Sequence, residues 1–339
     1  VRVRFAVVGI NHGHVYGMVD HLLRAGAEFV TWYAEEAELS AAFASKFDTI
    51  PKADGEARIL EDASIHLILS ASIASERAPL GVRAMRQDKD VMVDKPGMTS
   101  LAQLEEVRRV QAETGRIYSV CFSEHYDNAS TVEAGRLAQV GAIGRVVQTL
   151  GLGPHRANLA SRPAWFFEKA RYGGILTDIG SHQAEQFPFF TGSTEAEVVS
   201  STVANYRYPQ CPGLEDFGEM TLRGNGGHGY VRLDWYTPDG LSTWGDGRLT
   251  ILGTEGYMEL RKYVDVARQK RGDHLFLVDA QGERYVDCTG LDLPYGRQLV
   301  ADVQNRTWTH TPQERTFLAM ELALKAEAVA VRLGNLAAG

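Results

Sequence analysis

The sequence predicts an α/β chain: a doubly wound parallel sheet at the N-terminus, then an α+β unit with a large, mostly antiparallel open sheet. Across residues 5–121 short apolar runs alternate with helical patterns, as parallel strands joined by crossover helices do. Beyond about residue 198, strand-like runs follow one another across Gly, Pro and Asp turns with no helix pattern between them, which points to antiparallel pairing. A length of 339 residues, with 44% hydrophobic and 23% charged residues, is that of a globular chain with one or two cores and excludes disorder or a fibrous repeat.

The strands of the first unit are expected at 5–9, 29–33, 67–70, 91–93 and 117–121. Between them Val15, Met18, Val19, Leu22 and Leu23 recur at helical spacing, as do Leu101, Leu104 and Val107. After residue 122 the pattern gives a helix at 131–140, a strand at 146–150, an aromatic stretch and a helix at 176–190. Seven strands are then expected at 198–206, 217–222, 230–235, 249–252, 257–260, 275–278 and 284–287. Thr311-Pro312 opens a last helix, about 312–333, through Leu318, Leu322, Val329 and Leu333. The expected domains are 1–122 and 123–339.

Thirty-five Lys and Arg against 43 Asp and Glu give a net charge of −8 with no basic block, which argues against nucleic acid or an anionic membrane as partner. Cys121, Cys211 and Cys288 are too far apart for a metal knuckle or a disulfide framework and are read as free thiols. No stretch approaches the ~20 apolar residues of a membrane span, and the N-terminal apolar run is shorter than a secretory signal needs. The expected compartment is the cytoplasm.

The first βα turn reads Val8-Gly9-Ile10-Asn11-His12-Gly13-His14. A dinucleotide fingerprint wants glycine where Gly9, Asn11 and His14 stand, so one position of three matches, although Asn tolerates a left-handed backbone. Its context, after the first strand and before the first helix, suits a pyrophosphate; a βα turn without nucleotide fits the residues too. His12 and His14 also invite a metal, but no carboxylate or further His is near them in sequence; no metal site is predicted, and with Gly9 and Asn11 they are expected to line the nucleotide pocket or cap the helix. Glu35 and Glu36 follow the second strand, where an acid holds the adenosine ribose. No Lys or Arg lies between Arg24 and Lys46, which favours NAD, with NADP as the alternative. Lys95 and Pro96 follow the fourth strand, beside the crevice where ligands bind. Asp178 and His182, four apart after Gly173-Gly174, place a carboxylate and a candidate general base on one helix face; a surface ion pair reads the same way. His155, Arg156 and Trp165 carry the donors and aromatic faces that grip a sugar, or serve as core under a long loop.

Taken in order, Gly9, Asp94-Lys95-Pro96, Ala142-Ile143-Gly144 and Gly173-Gly174-Ile-Leu-Thr-Asp178-Ile-Gly-Ser-His182 resemble the glucose-fructose oxidoreductase, inositol dehydrogenase and rhizopine-catabolism family (Gfo/Idh/MocA) over nearly the whole chain. The resemblance implies a Rossmann domain for NAD(P), and an α/β domain whose open sheet supports the substrate pocket and packs against another subunit as a homodimer or homotetramer. It implies oxidation of a secondary hydroxyl of a sugar, cyclitol or polyol, or reduction of the ketone. Lys95 would bind the reacting hydroxyl, His182 would take its proton and Asp178 would orient substrate or His182. The family's Glu before the Lys is Asp94 here. Two rivals share the resemblance: a non-catalytic nucleotide sensor, and an NAD-retaining enzyme that uses transient oxidation for elimination or hydrolysis.

Overall fold

The structure, a computed structural model, describes residues 2–267 and 271–334. They form two compact units, one of residues 1–121 and 294–317, the other of 122–293 and 318–339. Among the described residues no helix is long and apolar enough to cross a membrane.

The first unit runs β1 (Arg4–Val8), α1 (Val15–Arg24), β2 (Glu28–Tyr33), α2 (Ala37–Lys46), α3 (Glu56–Leu60), β3 (Leu67–Ser70), α4 (Ala74–Arg86), β4 (Asp90–Asp94), α5 (Leu101–Thr114) and β5 (Tyr118–Cys121). Its sheet has the order β2-β1-β3-β4-β5, parallel at every pairing. Every residue of β3, β4 and β5 is buried, the condition that makes such strands continuous apolar runs in sequence. Helix α1 buries Val15, Met18, Val19 and Leu22 while Leu23 is exposed. Ser100 caps α5 by accepting from the Gln103 amide, and Gly115 ends the helix at φ +64°.

The second unit holds α6 (Ser123–Tyr126), α7 (Ala129–Gln139), β6 (Val146–Pro154), α8 (Lys169–Tyr172), α9 (Ile175–Asp178), α10 (Gly180–Thr191), β7 (Ala196–Ala204), β8 (Phe217–Gly224), β9 (His228–Asp234), β10 (Arg248–Gly253), β11 (Gly256–Arg261), β12 (His274–Asp279) and β13 (Gly282–Asp287). Helix α11 (Tyr295–Asn305) lies in the segment that packs with the first unit; α12 (Gln313–Val329) and β14 (Val331–Arg332) follow. The nine-stranded sheet has the order β13-β12-β11-β10-β6-β9-β8-β7-β14. It is antiparallel except at β6·β9 and β14·β7, close to the expectation. Ile175, Leu176, Ile179 and Phe187 pack on Met220, Leu222, Val231 and Leu233, and a second cluster joins Ile143, Leu249, Ile251, Met258 and Leu260.

Three differences from the expected outline have local causes. The span 123–339 is not one body, because residues 294–317 fold onto the first unit. Tyr295 meets the Ser119 hydroxyl at 2.8 Å, Arg306 pairs with Asp90, and the Gln313 amide both donates to and accepts from the Tyr118 backbone, as an added strand on edge strand β5 would. The expected helix 176–190 divides at Ile179. There the Ser181 hydroxyl donates to the Asp178 carbonyl at 3.0 Å, and the His182 amide donates to Ile179 rather than one residue earlier. The last helix stops at Val329, short of Leu333, whose amide donates to Val203 at 2.9 Å alongside the β14·β7 pairing.

Candidate functional site

The sheet order reverses between β1 and β3, and the crevice at the carboxyl ends of those strands is where an open α/β sheet binds ligands. The Ala71 amide donates to the Gly9 carbonyl and the His12 amide to the Ala71 carbonyl, so the two loops are laced together there. Gly9 has φ +79°, and a Cβ on it would lie 2.4 Å from the Ser72 Cβ; no other residue fits this position. Helix α1 starts without a side-chain cap, and Gly13 has nothing within 4 Å of where a Cβ would stand. A helix start with no side-chain cap, beside the switch point and approached across Gly9, is the kind of place a dinucleotide pyrophosphate takes, so the turn fits the group despite its missing glycines. Glu36 accepts from Asn11 Nδ2 and so fixes a carboxylate at the end of β2, while Glu35 is exposed.

Lys95 and Pro96 stand at the carboxyl end of β4, joined by a cis peptide bond, with Lys95 buried. The preceding Asp94 is the hub of the turn. Its Oδ1 accepts from the Lys95 amide at 2.8 Å and meets His14 Nδ1 at 2.9 Å, while Oδ2 lies 2.8 Å from His12 Nδ1 and 3.2 Å from Arg77 Nη2. Burial pushes the Asp94 carboxyl up, but the charges of His14, Arg77 and His12 outweigh it and hold the group well below the ordinary carboxylate range. Loss of water, followed by the neighbouring His14, pulls His12 down to about 4. His12, His14 and Asp94 bring ligand atoms within 4.8 Å of one another, so the carboxylate that sequence did not place beside the imidazoles comes from β4. The Arg77 guanidinium on the same carboxylate opposes a divalent cation there.

Arg77 was not foreseen. It is buried on α4 and donates to the carbonyls of Ser72, Asp94, Lys95 and Pro96, holding the loop after β3 to the loop after β4. The signal was an Arg in register with Ala74, Ala78, Gly81 and Met85 on the apolar face of a helix pattern.

In the second unit His182 is buried in the first turn of α10, with Asp178 at the end of α9. Gly173 at φ +97° and Gly174 at φ +89° precede them. A Cβ on Gly174 would lie 2.2 Å from the Glu327 Cδ, and the bare backbone lets two carboxylates reach the helix start. Glu215 accepts from the Ile175 amide and Glu327 from the Leu176 amide, each at 3.1 Å. Lys169 pairs with both acids and Arg332 with Glu215. Burial, and then the neighbouring Glu215, push the Glu327 carboxyl up to about 7.

Of the candidate substrate residues, His155 places Nδ1 3.1 Å from the Gly153 carbonyl and its ring against Trp235 and Trp244. Arg156 donates Nη2 to the carbonyls of Pro238, Leu241 and Thr243, which spends that end of it on holding the loop before β10. Trp165 packs against the core cluster that buries Phe166.

Comparison with known proteins extends this geometry. The oxidoreductase family with an NAD-binding Rossmann fold matches residues 3–122, and the GFO/IDH/MocA C-terminal domain matches residues 131–259. The chain is similar to a solved candidate oxidoreductase from Erwinia carotovora atroseptica SCRI1043, at 45% identity and TM-score 0.95, covering 98% of this chain and 100% of that one. It shares its fold with levoglucosan dehydrogenase in complex with NADH and levoglucosan, at TM-score 0.79 and 17% identity over 97% of this chain and 96% of that one. Scyllo-inositol 2-dehydrogenase (NAD(+)) of Bacillus subtilis (strain 168) is 24% identical over 233 residues, 67% of this chain. D-xylose dehydrogenase of Paenarthrobacter nicotinovorans is 27% identical over 129 residues, 37% of this chain. These two matches span 62% and 33% of the relatives' own lengths. With both halves matched in order and the obligate glycine at the switch point, the chain belongs to the GFO/IDH/MocA oxidoreductase family, its first unit an NAD-binding Rossmann domain.

Proposed function

We propose that this protein transfers hydride between NAD and a secondary hydroxyl, or the matching ketone, of a sugar, cyclitol or related polyol. The observation that carries the reading is the switch-point crevice of an NAD-binding family domain, with its obligate Gly9, the Glu36 carboxylate at the end of β2, and Lys95 at the end of β4. When bound, a nicotinamide would supply the acceptor for hydride from the carbinol carbon. That carbon is a poor donor until its hydroxyl proton is leaving, so a base and a nearby cation are what the chain must supply. His182 takes the proton, Lys95 stabilises the developing alkoxide and Asp178 orients the base or the substrate, as the motifs at 94–96 and 173–182 imply. NAD is the favoured nucleotide, since Glu36 repels a 2′-phosphate. NADP is tested in parallel because Lys52, which donates to Ser40 at 3.0 Å, brings a cation towards α2. The wide spacing of Cys121, Cys211 and Cys288 along the chain suits a reducing compartment such as the cytoplasm. The open sheet face, with Leu150, Leu252, Tyr257 and Tyr285 exposed, supports a homo-oligomer built through it.

The test is titration of the purified protein with NAD and NADP, followed by NADH production from scyllo-inositol, D-xylose and other polyols. Saturable NAD binding and turnover that falls roughly 10²- to 10⁴-fold in His182→Ala are expected. Absence of binding by either nucleotide, or normal turnover in that variant, overturns the reading.

A further inference from the structure

Helix α10 is held in an unusual way. Gln183, Glu185 and Gln186, which follow His182 within one turn, are all buried, and each is gripped by a polar partner. Glu124 of α6 accepts from Gln183 Nε2 at 2.9 Å and from Lys262 Nζ at 3.0 Å through the same oxygen. Lys262, just beyond β11, also donates to Gln186 Oε1 at 2.9 Å. His125, next to Glu124, meets Glu185 at 2.9 Å. The carboxylate and the ammonium dictate which way the two Gln amides face. Strand β6 makes room for this: a Cβ on Gly151 would lie 2.8 Å from Gln183 Cγ, and one on Gly153 would lie 3.0 Å from its Nε2.

Such a cluster is costly to bury, and apolar side chains of similar volume would hold a helix as well. What it adds is direction, because hydrogen bonds fix the rotation of a helix about its axis where apolar contacts allow it to slip.

We propose that Glu124 is a positioning residue for His182: it grips α10 through Gln183, while Lys262, paired to the same carboxylate, grips it through Gln186, so that the imidazole has one orientation and a fixed charge nearby. The proposal rests on His182 as the proton acceptor. A base that becomes imidazolium during the reaction gains from a carboxylate in electrostatic reach. The effect is mutual: Lys262 first, then His182 and His155, hold the buried Glu124 carboxyl down at about 2, against the upward push of burial.

Among the described residues of the second unit, the titratable groups around this turn include Tyr263, which faces Glu124, and Arg162, which faces Asp178. Helix α6 presents Glu124 and His125, the chain after β11 presents Lys262, the end of β6 presents His155 and α9 presents Asp178, while α10 itself contributes Glu185. Strand β9 meets α10 with Gly229 and Leu233, and α7 meets it with Gly135. Glu124 and Lys262 together are neutral, so removing one leaves the charge of the other beside the imidazoles.

The experiment is an NMR titration of the imidazoles in the full chain, with His182 and His155 signals assigned from His182→Gln and His155→Gln. Glu124→Gln keeps an acceptor for Gln183 but leaves Lys262 uncompensated, and the His182 midpoint is expected to fall by about one pH unit. Adding Lys262→Met restores neutrality and should bring the midpoint back near its original value. Should Glu124→Gln fail to fold, as judged by near-ultraviolet circular dichroism, Lys262→Met alone is expected to raise the midpoint instead. An unmoved midpoint in a folded variant, equal shifts in the single and double variants, or a ring that does not titrate in any of them overturns the proposal. The titration does not depend on turnover. A midpoint that moves while His182→Gln keeps full polyol oxidation leaves the positioning intact and removes His182 from the chemistry.

Discussion

Arg77 shows what one residue can decide. Its buried guanidinium joins the last carbonyl of β4, two carbonyls after it and one after β3 to the Asp94 carboxylate. Removing one partner of a buried charged pair costs about 3–5 kcal/mol, because the other is left uncompensated. Arg77→Met is therefore expected to lose that much in urea unfolding and to weaken NAD binding by loosening the turn that carries Lys95. A loss below ~1 kcal/mol, the worth of an ordinary hydrogen bond, would mean that the imidazoles and the Lys95 amide already satisfy Asp94. The residues readable from sequence were those whose type is tied to a local shape, such as Gly9 at φ +79° and the pair Gly173-Gly174. Arg77, Glu124 and Lys262 were not readable, because their charged partners lie 17 residues away for Arg77 and 138 for Glu124 and Lys262.

At the scale of elements, the start of α9 is capped by two carboxylates, one from Glu215 and one from α12. Burial, and then the neighbouring Glu215, raise the Glu327 carboxyl to about 7, above its unfolded value. Below the unfolded value both states hold the proton and nothing is lost. Between the two values the unfolded state has released it, so stability falls as pH rises and the full cost is present once the folded group ionises. Glu327→Gln, which can still accept from the Leu176 amide, should flatten that decline. The check is the urea midpoint at pH 5 and pH 8 for both proteins, and an unchanged difference between the two pH values would assign the dependence to another group. The division of α9 from α10 belongs to this scale too. Apolar spacing marked one helix, and only the hydrogen bond from Ser181 to the Asp178 carbonyl reveals the break.

At the scale of the whole molecule, the open face of the large sheet leaves Leu150, Leu252, Tyr257 and Tyr285 exposed among the described residues. Pairing register puts Leu252 opposite Tyr257 and Phe276 opposite Tyr285 on that face, while Ile251, Met258 and Leu277 point to the core. In the homo-oligomer proposed above, this exposed aromatic face is the interface. Tyr257→Glu combined with Tyr285→Glu is expected to shift the protein to monomer in light scattering without unfolding it. A wild-type chain that is monomeric at micromolar concentration would remove the oligomer from the account.

The sequence by itself determined the two kinds of sheet, the order of the strands' apolar runs and the positions of the motifs, because alternation, helical spacing and glycine-bearing turns are local properties of a chain. The tertiary structure alone decided that residues 294–317 return to the first unit, that Asp94 gathers two imidazoles and Arg77, and that a buried ion pair grips the helix of His182. Each of these depends on a polar group finding its partner after the chain has folded, and desolvation makes such partners necessary without leaving any period in the sequence.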